Sequence, residues 1–167
     1  HAAGGYRLGF VAVSEHLDEI MKPLAAIISE TFSAVSAPIQ YAAVEAFKAN
    51  ENNLGYIREC TKIHKAAGEY LHKRFTGMGL NCPRPEGAFY LMPDFENYKE
   101  KFLKMGIETS DQLCHYLLDN LGVAMLAGSN FYLPENFLAC RVATVDYDGA
   151  DVFKKSVGAS AIDESFI

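Results

Sequence analysis

The chain lacks three features that would each point to a particular class of protein: a long apolar run, an excess of positive charge and closely spaced cysteines. No apolar run approaches the roughly 20 residues that a membrane-spanning helix needs, and no signal-peptide pattern opens the sequence. The formal net charge is −6 and the pI is near 5.3. Nucleic acids and anionic membrane surfaces select basic patches. We therefore expect a cytoplasmic protein that binds neither nucleic acid nor membrane.

The cysteines and histidines form no recognisable ligand pattern. The cysteines are spread along the chain without a Cys-x-x-Cys pair, at Cys60, Cys82, Cys114 and Cys140. Disulfide frameworks and zinc sites need closer spacing or neighbouring histidines. His64 and His72 share a predicted helix but are too far apart for an i,i+4 ligand pair. The sequence therefore predicts reduced thiols and no metal site.

Half of the residues are apolar and 22% are charged, which is the composition of a soluble globular protein. The 167 residues suffice for one domain with its own core, or for a domain plus a remnant of another.

The residues Gly4 and Gly5 permit a tight turn whose N–H groups can face a small anion. The guanidinium of Arg7 follows, and its fork suits phosphate or carboxylate. The plain alternative is an ordinary turn with a solvated arginine.

The first half of the chain shows a strand pattern and then helical periodicity. Leu8–Val13 is predicted to be a buried strand. The predicted helices are Leu17–Thr31, Ser36 to about Asn50, and Asn53–Thr76. Pro23 should kink or divide the first helix, because proline lacks a backbone N–H. Ser36 is a good cap for the second helix, and Gly77 and Gly79 should end the third.

The second half of the chain alternates short strands with helices. The predicted strands are Leu80–Cys82, Ala88–Met92, Val123–Leu126 and Leu138–Ala143. Thr109, with Gln112 three residues on, is a capping-box signature and predicts the start of a helix that Gly122 ends. A charged helix or loop is expected over Phe95–Met105, and a last helix over Gly149–Ala161.

The segment Gly5–Phe10 reads Gly-Tyr-Arg-Leu-Gly-Phe, which resembles the G-[WY]-R-[LIV]-G-[YF] segment of class I/II aminotransferases. Further segments resemble motifs of the same family in the same order: Gln40–Ala43, Gly87–Tyr90, Gly122–Phe131 and Leu138–Ala143. Each motif alone is weak, but together they are collinear over nearly the whole chain. The sequence thus resembles the C-terminal part of a fold type I pyridoxal-phosphate enzyme, nearest to aspartate-aminotransferase-like members.

The resemblance implies roles for three residues. It makes Arg7 the partner of the cofactor phosphate, Arg141 the ligand of the substrate α-carboxylate, and Phe89 a wall of the substrate pocket. The alternatives are an outward-facing arginine at a sheet edge for Arg141 and an ordinary core aromatic for Phe89. In the family, the Schiff-base lysine stands eight residues before the arginine, which here falls before residue 1. The resemblance therefore implies that the chain alone holds no catalytic residue and is inactive.

The resemblance also implies an α/β fold. Residues 1–50 would be a remnant of the large cofactor domain, and residues 51–167 the small C-terminal domain, with helices on a short, mainly antiparallel sheet. In the family the strand at Leu8–Val13 lies between strands of upstream sequence, so in this chain alone we expect it to pair with a second copy, swap between chains or come loose. The implied activity is transfer of an amino group between an amino acid and a 2-oxo acid, in a pyridoxal-phosphate-dependent homodimer. One alternative is another enzyme on this scaffold, a carbon–sulfur lyase or an aminocyclopropane-carboxylate synthase. The other is a transcription regulator with an aminotransferase-like domain.

Overall fold

The computed structural model describes residues 1–159 and Ile162, and the chain divides into two compact units, His1–Cys60 and Thr61–Ile167. The α-helices are α1 (Met21–Thr31), α2 (Ala37–Ala46), α3 (Glu51–Gly77), α4 (Lys99–Lys104), α5 (Ser110–Leu121) and α6 (Gly149–Ser156). The strands are β1 (Tyr90–Leu91), β2 (Leu126–Ala127) and β3 (Cys140–Ala143). Short 3₁₀ helices cover Gly4–Tyr6, Glu15–Ile20, Glu96–Tyr98 and Gly128–Phe131. Helix α3 runs across the boundary between the units.

The first helical region is divided, as Pro23 predicted. A 3₁₀ helix, Glu15–Ile20, comes first, and Pro23 then lies in the first turn of α1. The first-turn N–H groups of a helix have no intrahelical partner, so proline is tolerated there. Ser36 precedes α2 as predicted, but its side chain accepts no hydrogen bond from the helix, and Pro38 occupies the first turn.

The predicted end of α2 near Asn50 is wrong: α2 ends at Ala46, and Asn50 instead caps the start of α3. The Oδ1 of Asn50 accepts the backbone N–H of Asn53 at 3.0 Å, which caps the start of α3. The side-chain amide of Asn53 in turn donates to the carbonyls of Glu45, at 2.8 Å, and Lys48, at 2.9 Å. These bonds satisfy carbonyls at the end of α2 and fix the turn between the two helices.

Leu8–Val13 does not form the buried strand that its apolar pattern predicts, which agrees with the expectation that the segment does not sit as a lone strand in this chain. Residues 7–14 form neither helix nor strand, and Phe10 is 71% exposed. In residues 1–60, all of which the structure describes, no residue is buried and none pairs in a sheet. A strand needs neighbours for its N–H and C=O groups, and an apolar helix face needs a second layer. The first unit supplies neither, although Phe47 meets the rings of His1 and Phe10 edge-on, each at 5.0 Å.

The second unit contains the predicted short antiparallel sheet, in the order β1-β3-β2. Strand β3 pairs with β1 through Leu91 and Val142, and with β2 through Leu126 and Arg141. The strands are shorter than predicted. The expected strand Leu80–Cys82 is reduced to a single bridge between Asn81 and Asp94. The α/β fold class that the resemblance implied is confirmed.

Two apolar clusters form the core of this unit. The first lies where α5 covers the sheet and contains Ile107, Leu113, Cys114, Ala127, Leu138 and Cys140. The second lies where the end of α3 meets the sheet and contains Phe75, Leu80, Cys82 and Leu91. The predicted capping box of α5 is present in full, since Gln112 N–H donates to Thr109 and the Gln112 side chain accepts from Thr109 N–H. Helix α6 is capped by Asp148, while the predicted end at Ala161 lies outside the described residues.

The long helix α3 ends in a Schellman motif built on Gly79. The Leu80 N–H donates to the Phe75 carbonyl at 3.0 Å, and the Gly79 N–H donates to the Thr76 carbonyl at 3.0 Å. Gly79 has φ +80°, in the left-handed region that side chains disfavour. Phe75 and Leu80 then meet in the second core cluster. The helix end and the core therefore stabilise each other.

We expect Gly79→Ala to lower the free energy of unfolding by about 1–2 kcal/mol, because alanine resists the left-handed backbone. The matched control is Gly77→Ala. Gly77 is the last helical residue, and a Cβ there would meet nothing within 4 Å. Alanine in a helix is favoured over glycine, so this variant should be as stable as the parent or more so. Urea unfolding followed by circular dichroism measures both, and equal losses would contradict the assignment.

Candidate active site

Arg141 lies on β3, the central strand of the sheet, which pairs with a neighbour on both sides. Its guanidinium carbon is 4.2 Å from the ring centroid of Tyr90, on β1, and 4.5 Å from that of Phe131. The residue is half-buried, and no carboxylate in the described part of the chain pairs with it. Contacts with aromatic faces stabilise a cation without consuming its N–H donors. Arg141 is therefore held in place while its donors stay available for an anion.

A close backbone approach positions Phe131 beside Arg141. The Gly128 N–H donates to the Ala139 carbonyl at 2.8 Å, and a Cβ on Gly128 would lie 2.9 Å from that same oxygen. Only glycine fits there without a shift. The 3₁₀ helix Gly128–Phe131 is thus anchored on the residues that lead into β3.

Phe89 contacts Tyr90, the aromatic residue that also contacts Arg141. The rings of Phe89 and Tyr90 are 4.4 Å apart, and the Phe89 ring is 5.6 Å from that of His64. Its carbonyl accepts the Thr144 N–H at 2.9 Å, beyond the end of β3. Phe89 is half-buried. The structure therefore joins Phe89 and Arg141, 52 positions apart in the sequence, through one shared contact, Tyr90.

His64, on α3, places its ring beside that of Phe89. Its Nδ1 lies 3.4 Å from the Tyr147 hydroxyl, and burial lowers its pKa below the ordinary histidine value. It lines an open cleft of about 510 Å³ together with Lys65 and Arg84. Beside this cleft, Arg84 is ion-paired with Glu69 at 3.2 Å. At neutral pH the imidazole is neutral and can donate or accept one hydrogen bond at each nitrogen.

Arg7 belongs to the first unit and has a left-handed backbone, with φ +56°. Its Nη1 donates to the Gly4 carbonyl at 3.1 Å, which leaves most of the exposed guanidinium unbonded. The N–H groups of Tyr6 and Arg7 donate to the carbonyls of Ala3 and Gly4. The Gly4–Tyr6 turn is therefore formed, and no described carboxylate pairs with Arg7.

The sequence prediction did not single out Tyr90, Phe131 or His64. Tyr90 and Phe131 lie within motifs that the resemblance had marked, at Gly87–Tyr90 and Gly122–Phe131. Their side chains could therefore have been nominated. His64 gave no such signal, because its position on a helical stripe is typical of core residues.

The described residues contain neither a candidate metal-binding group nor a candidate membrane-spanning helix. They contain no group of three or more histidine, cysteine or acidic side chains that could hold a metal ion. None of the helices in that part of the chain combines the length and the apolar character that a membrane span requires.

The model of the family "Aminotransferase class I and II" matches residues 1–153. The aspartate aminotransferase of Bacillus subtilis is 32% identical over 146 residues, which are 87% of this chain and 35% of that protein. A probable aspartate/prephenate aminotransferase of Aquifex aeolicus is 33% identical over 131 residues, 78% of this chain and 31% of that protein. The chain thus spans about a third of the length of these relatives.

Solved structures give the same result for the fold. The aromatic aminotransferase from Pyrococcus horikoshii superposes with a TM-score of 0.64 at 26% identity, covering 93% of this chain and 37% of that one. A variant of Thermus thermophilus aspartate aminotransferase gives a TM-score of 0.65 at 21% identity. The chain belongs to the class I and II aminotransferase family, whose members depend on pyridoxal phosphate, and it is aspartate-aminotransferase-like with a fold of type I.

We expect His64 to titrate below the ordinary histidine value of about 6.5 and His115 above it. Burial lowers the pKa of His64, whereas a hydrogen bond to the Asp111 backbone and the Asp111 charge raise the pKa of His115. The unfolded chain protonates His64 more readily than the folded one. The stability from neutral His64 is thus present above about pH 6.5 and is lost as the pH falls through its folded pKa.

NMR titration of the imidazole signals measures both histidines in one sample, so each serves as the other's reference. Tyr147→Phe is the control variant. Because burial is the main cause of the shift, His64 should keep a lowered pKa without the tyrosine hydroxyl. A His64 pKa equal to or above that of His115 would contradict the burial of this imidazole.

Proposed function

We propose that this chain forms the C-terminal part of an aminotransferase that transfers an amino group between an amino acid and a 2-oxo acid. The observation that carries the proposal is Arg141, half-buried between two aromatic rings and without a carboxylate partner among the described residues. In this proposal residues 1–50 are a remnant of the large cofactor domain, and residues 51–167 are the small domain.

Arg141 is the proposed ligand of the substrate α-carboxylate. Both substrates, the amino acid and the 2-oxo acid, carry this group, so one site serves both halves of the reaction. A guanidinium can bind a carboxylate through two parallel N–H···O bonds, which fixes the orientation of the bound molecule. Tyr90 and Phe131 limit the motion of that guanidinium and so reduce the entropy lost on binding.

Phe89 is the proposed wall of the substrate pocket. Its ring contacts Tyr90, which in turn contacts Arg141, and the ring of His64 lies 5.6 Å from it. A half-buried aromatic beside a carboxylate-binding arginine can exclude water from the bound substrate.

Pyridoxal phosphate is the proposed cofactor, and it supplies the electron sink for the chemistry at the substrate α-carbon. Arg7 fits the role of phosphate ligand, because its exposed guanidinium has one backbone hydrogen bond and no described carboxylate partner. The lysine that would hold the cofactor, eight residues before Arg7, falls before residue 1. The chain by itself is therefore proposed to be inactive.

The full-length protein is proposed to be a cytoplasmic homodimer. Amino transfer is favoured over a carbon–sulfur lyase, an aminocyclopropane-carboxylate synthase or a regulator domain, since the relatives named above are described as aminotransferases. Aspartate is the first amino acid to test for the same reason.

The 167-residue chain, mixed with pyridoxal phosphate, aspartate and 2-oxoglutarate, should produce no glutamate above the level that the free cofactor produces. The reason is the missing lysine. Chromatographic measurement of glutamate checks this, and the full-length protein is the positive control. Turnover by the chain alone, or a borohydride-trapped cofactor on one specific lysine, would contradict the proposal.

In the full-length protein, Arg141→Lys should lower kcat/KM by roughly a hundredfold or more, because lysine keeps the charge but loses the planar fork. Arg74→Lys is the matched control, since Arg74 lies on the exposed side of α3 and outside the site. Thermal unfolding of both variants shows whether the fold is intact. Near-parental activity of a folded Arg141→Lys protein would contradict the role of Arg141 as ligand of the substrate α-carboxylate.

A further inference from the structure

Two cysteines that are distant in sequence meet in the core of the second unit. The Sγ atoms of Cys114, on α5, and Cys140, on β3, are 3.4 Å apart. Both side chains belong to the first core cluster, and Cys140 is fully buried. A disulfide requires an S–S distance of about 2.05 Å, so the two sulfur atoms need to approach by about 1.4 Å.

The two thiols differ in reactivity. They share a hydrogen bond, which lowers the pKa of Cys114 and raises that of Cys140, and burial raises the Cys140 pKa further. The thiolate is the nucleophile in thiol chemistry. Cys114 is 8% exposed whereas Cys140 is 0% exposed, and the next residue after Cys114, His115, is exposed. Cys114 is therefore the thiol that reacts first, and Cys140 is placed to resolve the product.

We propose that Cys114 and Cys140 form an oxidative modification site, which closes to an intramolecular disulfide when the protein meets a peroxide. The Cys114 thiolate attacks one peroxide oxygen, the O–O bond breaks, and a sulfenic acid forms with loss of hydroxide. The Cys140 sulfur then attacks the Cys114 sulfur, the S–O bond breaks, and the thiol proton leaves with the oxygen as water. In total the two thiols give two electrons and two protons to the peroxide, which becomes two water molecules.

The site has a structural consequence that does not depend on the proposed function. Cys140 is the first residue of β3, and its backbone N–H donates to the Pro93 carbonyl at 3.1 Å. A disulfide would tie α5 covalently to the strand that carries Arg141. Oxidation would thereby add a covalent link between α5 and the residue next to Arg141, and a reductant would remove that link.

The experiment treats the double variant Cys60→Ser, Cys82→Ser with hydrogen peroxide and maps its peptides by mass spectrometry without reduction. We expect a monomer that loses about 2 Da, a linked peptide pair containing Cys114 and Cys140, and full reversal by dithiothreitol. The unmodified chain is mapped in parallel, so that the result does not depend on the folding of the double variant.

Two further variants separate the roles of the thiols. Cys140→Ser should leave Cys114 to stop at sulfenic or sulfinic acid, while Cys114→Ser should slow oxidation of Cys140 by roughly tenfold or more. The proposal is overturned if both thiols of the folded chain survive peroxide, if Cys114 becomes sulfinic acid while Cys140 stays reduced, or if the products are linked only between chains.

Discussion

The antiparallel pairing of β3 with strands on both sides is the constraint on which the rest of the second unit depends. Side chains alternate along a strand, so Cys140 and Val142 point to one face and Arg141 to the other. Cys140 lies in one core cluster and Val142 packs against the other. The same alternation places Arg141 on the opposite face of the strand, with Tyr90 and Phe131. One four-residue strand thus joins the apolar core to the candidate active site.

The guanidinium of Arg141 is half-buried and stabilised, and yet its N–H donors remain available for an anion. A half-buried cation needs stabilisation, and a carboxylate partner would provide it while occupying the N–H donors. Two aromatic rings stabilise the charge through their faces and leave those donors unused.

The two units differ in how much apolar surface they bury. The second unit buries apolar residues between helices and a sheet, whereas the first has apolar helix faces but no second layer, and none of its residues is buried.

Local signals in the sequence predicted much of the secondary structure. The capping box at Thr109, the division at Pro23 and the glycine stop after α3 each act through backbone atoms a few residues away. The local pattern and the structure differ where a distant partner decides the outcome. Leu8–Val13 has an apolar strand pattern, but without pairing strands it does not form one. The helix end near Asn50 was misjudged because that side chain caps the following helix.

The sequence by itself determined the family and the α/β class through its collinear motifs, and it determined the capping box of α5 through residue types at short spacing. The nomination of Arg7, Phe89 and Arg141 followed from the resemblance to the family. Only the tertiary structure decided that Arg141 lies on a central strand, that Tyr90 joins it to Phe89, and that Cys114 meets Cys140. Those contacts join positions that sequence periodicity leaves unrelated. They exist because helix α5 and strands β1 and β2 must all pack on or pair with β3, and that pairing brings their side chains together.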